Sequence, residues 1–258
     1  MKRISRISRG SAASRPALLG AVVLLALTSA SVAAADDGPG PFKVTVDAAA
    51  TRQSARVGAL FGADGAGRPA GGHFCTASVV HSPRGDLVVT AAHCVDRAGG
   101  GLVFVPGYRD GQAPYGVWRV TRRFVPGGWA AGRDEDSDLA FVTVAGRDGE
   151  RLEDVVGANR FAAGVATGAT AVTVTGYPGS RETPIVCTDK PVPYGRTQQR
   201  VECPDFTGGT SGSPWIDGDG RVVGVLGGHE QGGATADVSY SVVLGGEAAG
   251  LYRDATAG

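Results

Sequence analysis

Short apolar runs separated by turn-forming residues make up most of the chain from Val57 onward. The runs are four to six residues long and rich in valine, and glycine, proline and aspartate bound them, as in Asp-Gly-Asp-Gly at residues 217–220. Such runs predict β-strands, because β-branched side chains pack well on a pleated surface. The clearest runs lie at residues 77–80, 87–90, 102–105, 139–144, 171–174 and 222–226.

The spacing of these runs predicts an all-β protein, either an antiparallel barrel or a sandwich, rather than alternating strands and helices. A charged stretch at residues 146–160 divides the series and is interpreted as a linker between residues 57–145 and residues 161–258. Residues 246–252 are expected to form a short closing helix. Residues 36–56 are polar and alanine-rich, and we interpret them as a pro-segment or an N-terminal arm.

The first 35 residues have the layout of a secretory signal peptide. Five basic residues precede an apolar run at residues 17–27, and the segment contains no acidic residue. Small residues then lead to Ala35, after which we expect cleavage. An uncleaved anchor is disfavoured, because a helix that spans a bilayer needs about 20 apolar residues. Without this segment 20 basic residues face 25 acidic ones. We therefore expect a mildly acidic, secreted, extracellular protein with no membrane contact after cleavage.

The composition is that of a globular protein, with 42% hydrophobic, 19% charged and 7% aromatic residues. These proportions exclude a disordered polymer and a multispan membrane protein. The 25 basic and 25 acidic residues of the full chain cancel. The net charge therefore gives no reason to expect a nucleic-acid partner. We expect a monomer by default.

Four cysteines, Cys75, Cys94, Cys187 and Cys203, allow three pairings. In an exported protein we expect cysteines to form disulfides rather than remain free thiols, because its destination is oxidising. No two of the cysteines stand in a C-x-x-C spacing, so a zinc site is disfavoured. Pairing of neighbours, Cys75 with Cys94 and Cys187 with Cys203, would close one loop in each half, and each bond would contribute roughly 3 kcal/mol.

Three short motifs contain the residue types that acyl transfer requires. His93 lies in T-A-A-H-C directly after an apolar run, and an imidazole takes up and releases protons near neutral pH. Asp138 precedes a second apolar run, and Ser211 lies in G-G-T-S-G-S-P at residues 208–214, where glycines allow a tight turn that exposes the hydroxyl. Taken singly, each motif also has a non-catalytic interpretation. His93 could be a structural histidine, Asp138 a solvated acid, and the segment around Ser211 a glycine-serine loop. Together they supply a nucleophile, a base and an acid that orients the base.

The motifs T-A-A-H-C, D-L-A and G-x-S-G-S-P, in this order, resemble those of the chymotrypsin/trypsin-like serine proteases. The resemblance covers residues 57–252, and the order His, Asp, Ser differs from the orders in subtilisins and α/β-hydrolases. It implies two six-stranded antiparallel β-barrels with the active site between them, followed by a short C-terminal helix. It also implies that a bond between Cys75 and Cys94 braces the histidine loop.

The same resemblance implies a role for each site residue. Ser211 would attack a peptide carbonyl to form an acyl-enzyme, His93 would take up and return the proton, and Asp138 would orient the imidazole. The N–H groups of Gly209 and Ser211 would bind the oxyanion. The expected partners are protein or peptide substrates, and no cofactor is required.

This sequence differs from the animal members of the family at positions that bear on activation of the protease and on its cleavage specificity. Thr210 stands where animal members have an aspartate that pairs with a new N-terminus, and the G-x-S-G-S-P form is more similar to bacterial relatives, including glutamyl endopeptidases. Asp205, six residues before Ser211, stands where trypsin-like members bind arginine or lysine, and a surface turn is the alternative. Gly227 and Gly228 lie at the edge expected to pair with an extended substrate backbone.

A metal site is not expected. Asp134, Asp136 and Asp138 alternate like calcium ligands, but Leu139 follows where a calcium loop requires glycine, and the twelfth loop position is not glutamate. We interpret Asp134, Glu135 and Asp136 as a solvated rim.

Two other function classes remain open on the sequence alone. One is a catalytically silent homologue that binds proteins or wall polymer through the same cleft. The other is an esterase that uses the same three residues on other acyl groups. A structural wall or adhesion module is the least favoured alternative.

Overall fold

Strands dominate the computed structural model, which describes residues 41–63, 72–96 and 100–257. The described strands are β1 (Val46–Asp47), β2 (Val57–Gly62), β3 (Cys75–Val79), β4 (Leu87–Thr90), β5 (Leu102–Pro106), β6 (Trp118–Phe124), β7 (Ala140–Val144), β8 (Arg160–Phe161), β9 (Val172–Gly176), β10 (Ile185–Asp189), β11 (Val192–Tyr194), β12 (Gln198–Glu202), β13 (Pro214–Asp217), β14 (Arg221–Val225) and β15 (Val238–Val242). The described helices are α1 (Arg52–Ala55), α2 (Ala92–Asp96), α3 (Gly127–Gly132), α4 (Leu152–Val156) and α5 (Gly246–Ala257). The all-β prediction and the closing helix are confirmed.

The first half forms a closed antiparallel barrel with the strand order β2-β3-β4-β7-β6-β5. Every residue of β3, β4, β5 and β7 is buried. Because both faces of these strands are covered, β4, β5 and β7 are largely continuous apolar runs, whereas β3 also buries the polar side chains of Thr76 and Ser78. Strand β6 differs, since it carries three arginines and is largely exposed.

The second half is divided into two sheets rather than closed into one barrel. Six strands follow the order β1-β10-β9-β13-β14-β8, and three others follow the order β11-β12-β15. The ladder is interrupted between β14 and β15, where the Val225 N–H donates to the Ser241 hydroxyl at 2.9 Å. A backbone bond from Gly227 N to Tyr240 O, at 2.9 Å, is formed just beyond β14. The strands expected for a second barrel are therefore present, but a side chain replaces part of their backbone pairing.

The two halves share an apolar core that α5 covers. Leu139 and Phe141 of the first half pack in one cluster with Val225 and Val242 of the second, and with the buried face of α5. That face consists of Ala248, Leu251 and Ala255. The helix therefore stabilises the junction of the two halves, along which the cleft lies.

The predicted arm, residues 36–56, is described from residue 41 and is paired with the second half. Val46 of β1 lies opposite Val186 of β10, and Lys43 N donates to Thr188 O at 2.7 Å. The predicted linker, residues 146–160, contains α4 and reaches β8. The predicted signal peptide lies outside the described residues. No helix in the described part of the chain is long and apolar enough to cross a membrane.

Both predicted disulfides are present, with Cα–Cα distances of 6.0 Å. The bond between Cys75 and Cys94 ties α2 to β3 of the barrel. The bond between Cys187 and Cys203 ties β10 to the segment that follows β12. The pairing of neighbouring cysteines is therefore confirmed.

The hairpin between β13 and β14 is closed by the buried carboxylate of Asp217. This carboxylate accepts hydrogen bonds from Asp219 N at 3.0 Å, Arg221 N at 2.9 Å and Arg221 Nε at 2.8 Å. Burial by itself would raise the pKa of Asp217, but the side-chain bond from Arg221 and the two backbone bonds outweigh it, and the pKa is lowered.

Because the pKa of Asp217 in the folded protein lies below its ordinary value, the ionised form stabilises the fold at pH values above that range. We predict that this contribution is lost as the pH falls below about 4. Asp217→Asn should lower the free energy of unfolding at pH 7, and the difference from the unsubstituted protein should shrink at pH 3. Urea unfolding at both pH values measures this. A difference that is independent of pH would contradict the prediction.

Candidate active site

His93 lies in α2, directly after barrel strand β4, and its side chain is 8% exposed. The next residue, Cys94, is bonded to Cys75 of β3. The buried helix therefore has a covalent attachment beside the histidine, which limits how far the imidazole can move.

Asp138 follows a 3₁₀ turn at Glu135–Ser137 and precedes β7. Its buried carboxylate accepts a hydrogen bond from His93 Nδ1 at 2.7 Å and another from His93 N at 2.9 Å. A third donor, Gly228 N, lies 2.8 Å from Asp138 Oδ2. With Asp138 ionised, this geometry keeps a proton on Nδ1 and leaves Nε2 of the imidazole able to accept one. The structure thus brings His93 and Asp138 together.

Ser211 lies in a loop whose shape is maintained by threonine and serine side chains. Thr210 Oγ1 donates to Thr207 O at 2.8 Å, and Ser213 Oγ donates to Thr210 O at 2.7 Å. Thr210 is therefore used inside the loop, at the position where animal members have aspartate. Thr76 of β3 supports the loop from the first half, because Thr76 N donates to Ser211 O at 2.7 Å and Thr76 Oγ1 donates to Gly209 O at 3.0 Å.

The Ser211 hydroxyl lies near a backbone carbonyl of the second half. Its Oγ is 3.5 Å from Gln231 O. Within residues 41–63, 72–96 and 100–257, no hydrogen bond joins Ser211 to His93. The structure therefore places the nucleophile candidate in the cleft without the bond to the base that the motif predicts.

The N–H groups predicted to bind an oxyanion are those of Gly209 and Ser211. Among the described residues neither N–H has a hydrogen-bond acceptor. Gly209 has a φ of 103°, and a β-carbon there would lie 2.4 Å from Gly179 N and 2.6 Å from Tyr177 O. Glycine is therefore required at this position, both for its conformation and for space.

A cavity of about 310 Å³ adjoins His93. It is lined by His93, Asp96, Trp129, Arg133, Glu135, Gly228 and Gln231. Gly228 thus reaches both this cavity and the Asp138 carboxylate. Gly227 lies beside it, so that a β-carbon there would be 2.9 Å from Asp138 Oδ2.

Asp205 lies outside this group of residues. It is exposed and adopts a left-handed φ of 67°, typical of a turn. This geometry matches the alternative interpretation of Asp205 as a surface turn, and its role in substrate binding stays a prediction.

The acidic residues interpreted as a solvated rim also bind the second half. Asp134 Oδ1 accepts from Asp136 N at 3.1 Å and caps the 3₁₀ turn. Gln198 of β12 donates through Nε2 to Glu135 O at 3.0 Å and to Asp136 Oδ1 at 2.8 Å. Sequence reasoning missed Gln198 and Thr76, because neither lies in a motif and each acts on residues at least 60 positions away.

A metal does not fit the sulfur atoms that lie close to His93. Sγ atoms of Cys75 and Cys94 are grouped with the imidazole, but they form a disulfide and offer no thiolate.

Comparison with known proteins identifies the family. The family profile described as "Trypsin-like peptidase domain" matches residues 75–225. The chain belongs to the trypsin-like peptidase family. This family agrees with the resemblance that the three motifs indicate.

Three relatives of this trypsin-like peptidase illustrate the similarity. The chain is 30% identical over 136 residues to the glutamyl endopeptidase of Bacillus licheniformis, a match that spans 49% of this chain and 41% of that relative's length. The crystal structure of the protease Anisep from Arthrobacter nicotinovorans is 26% identical with a TM-score of 0.68, covering 79% of this chain and 96% of that one. The thermostable serine protease AL20 from an extremophilic microorganism is 27% identical with a TM-score of 0.67, covering 80% and 99%.

We predict that Gly227→Ala displaces the Asp138 carboxylate. The added β-carbon would lie 2.9 Å from Asp138 Oδ2 and 3.1 Å from the Ala91 β-carbon, closer than such atoms normally approach. The downfield proton NMR signal of the His93 Nδ1–H should therefore shift or broaden, since the proton is shared with that carboxylate across 2.7 Å.

Gly218→Ala is the matched control, because a β-carbon there meets nothing within 4 Å. It should leave the His93 signal unchanged. An unchanged signal in Gly227→Ala would show that the carboxylate tolerates the added carbon, against the prediction.

Proposed function

We propose that this trypsin-like peptidase is an exported serine endopeptidase that hydrolyses peptide bonds through Ser211, His93 and Asp138. The observation that supports it most directly is the bond of 2.7 Å from His93 Nδ1 to the buried Asp138 carboxylate, at the cleft where the Ser211 loop lies. A buried carboxylate that fixes one imidazole nitrogen is the arrangement needed to make the other nitrogen a base.

In the proposed acylation step, Ser211 Oγ forms a bond to the substrate carbonyl carbon as its proton passes to His93 Nε2. The imidazolium that results is stabilised by the ionised Asp138 at its Nδ1–H. The carbon–nitrogen bond then breaks, and His93 returns the proton to the leaving amine. A water molecule, deprotonated by the same imidazole, hydrolyses the acyl-enzyme and releases Ser211.

The oxyanion that forms in both steps would be bound by the N–H groups of Gly209 and Ser211. Their lack of acceptors among the described residues supports this role, because donors that are already oriented need no reorganisation during the reaction. Thr76 would maintain their orientation, since it binds the carbonyl groups of the same two residues.

Export is supported by the N-terminal pattern of residues 1–35 and by the two disulfides. Disulfides persist in oxidising compartments and are rare in the bacterial cytosol. The relatives that the chain matches include bacterial proteases. The proposed substrates are proteins or peptides that the protein meets outside the cell.

We predict that Ser211→Ala and Asp138→Asn each lower kcat for peptide hydrolysis by about 10⁴-fold or more, because one removes the nucleophile and the other the anion that orients the base. Circular dichroism should show an unchanged fold. The measurement is hydrolysis of a peptide library by the mature protein, together with mass mapping of the adduct formed by a fluorophosphonate probe.

Ser180→Ala is the control, since Ser180 is exposed in a turn. It should retain full activity and the adduct on Ser211. Hydrolysis at near-normal rates by Ser211→Ala would contradict the proposal. Ester turnover without peptide turnover would favour the esterase, and the absence of any adduct on the folded protein would favour the silent homologue.

A further inference from the structure

Residues 228–233, which we call the cleft segment, touch two of the three proposed catalytic residues. At the start of the segment, Gly228 N donates to Asp138 Oδ2 at 2.8 Å. Three residues later, Gln231 O lies 3.5 Å from Ser211 Oγ. The segment thus reaches from the buried acid to the nucleophile.

The contact at Ser211 is important for its position rather than its strength. A strong hydrogen bond between oxygens is about 2.7 Å long, so a separation of 3.5 Å contributes little binding energy. However, a substrate carbonyl must come within about 3 to 3.5 Å of the nucleophile to react. The carbonyl of Gln231 therefore occupies part of the space that a substrate must enter.

The backbone of the cleft segment is strained where it meets Ser211. Glu230 has φ 49° and ψ 40°, and Gln231 has φ 56° and ψ 29°, so two consecutive residues with side chains are left-handed. This conformation is unfavourable for residues other than glycine. The observed position of the segment therefore depends on contacts that hold it from outside.

Glu135 provides such contacts from the first half, while the rings of Tyr194 and Tyr240 contact His229 from the second half. Glu135 Oε1 accepts a hydrogen bond from Glu230 N at 3.1 Å, and its Oε2 lies 3.5 Å from His229 Nδ1. Glu135 is itself held in place, because its carbonyl oxygen accepts from the buried Gln198 at 3.0 Å. One side chain thus connects the turn before Asp138 to the strained part of the cleft segment.

We propose that Glu135 is a positioning residue that latches the cleft segment over Ser211, so that a peptide substrate must release the latch to reach the nucleophile. This inference rests on the proposed function of Ser211. A closed state that competes with substrate raises the apparent KM in inverse proportion to the fraction of molecules that are open, and it leaves kcat nearly unchanged.

Two substitutions of Glu135 separate the latch from a simple effect of charge. Glu135→Ala removes the acceptor of the Glu230 N–H, whereas Glu135→Gln removes the charge and keeps an acceptor oxygen. We expect Glu135→Ala to label faster with a fluorophosphonate probe and to lower KM for peptides by about threefold or more, with kcat within twofold. Glu135→Gln should stay closer to the unsubstituted protein.

The backbone strain provides an independent variant with the opposite sign. Gln231→Gly removes the cost of the left-handed conformation and keeps the carbonyl, so it should favour the closed state and slow labelling by about fivefold. Gln231→Val raises that cost and should accelerate labelling. The expected order of rates is therefore Gln231→Val, the unsubstituted protein, then Gln231→Gly.

The experiment distinguishes failure of the latch from failure of the proposed function. Equal labelling rates in all variants, or slower labelling in Glu135→Ala, would overturn the latch and leave Ser211 as the nucleophile. Absence of the Ser211 adduct from the unsubstituted protein and from every variant would overturn both. Circular dichroism of each variant checks that its fold is retained, and Glu135 is suited to substitution because its side chain is 52% exposed.

Discussion

The buried carboxylate of Asp138 is the constraint on which the site depends. A desolvated charge is tolerated only where hydrogen bonds replace the water it has lost. Here the donors are His93 Nδ1 and His93 N from the first half and Gly228 N from the second. Neither half alone satisfies the carboxylate. The imidazole is therefore correctly oriented only when the two halves are correctly packed against each other.

The nucleophile loop depends on the junction of the halves in the same way. Thr76, on a barrel strand, binds the carbonyl oxygens of Gly209 and Ser211 in the second half. Its hydroxyl also accepts from Tyr177 N at 2.9 Å. The apolar cluster beneath α5 then keeps the two halves in contact. Contacts that involve none of the proposed reacting atoms thus fix the backbone of the loop that carries Gly209 and Ser211.

Sequence patterns predicted the parts of this structure that follow from local composition. The apolar runs predicted β3, β4, β5 and β7 of the barrel. Trp118–Phe124 and Gln198–Glu202 were not recognised as strands, because arginines on an exposed face and buried glutamines hide the pattern. The three motifs identified the candidate acid, base and nucleophile. Motifs could not identify the Gly228 amide, Thr76 or the Gln231 carbonyl, because each reaches a partner that is distant in sequence and only folding brings the two together. The amide and the carbonyl also act through backbone atoms, which the residue type does not reveal.

The constraint at Asp138 also limits how the cleft segment can move. If Gly228 moved away, the buried carboxylate would lose one of its three donors, and the imidazole would lose part of its support. Glu230 and Gln231 do not donate to the buried carboxylate. Their contacts to Glu135 and Ser211 lie at the surface of the cleft, where water can replace them. Opening must therefore pivot after Gly228, where the positive φ of 81° already requires glycine. A pivot at that residue would expose Ser211 while leaving the bond between His93 and Asp138 intact, so access to the nucleophile and orientation of the base can change independently.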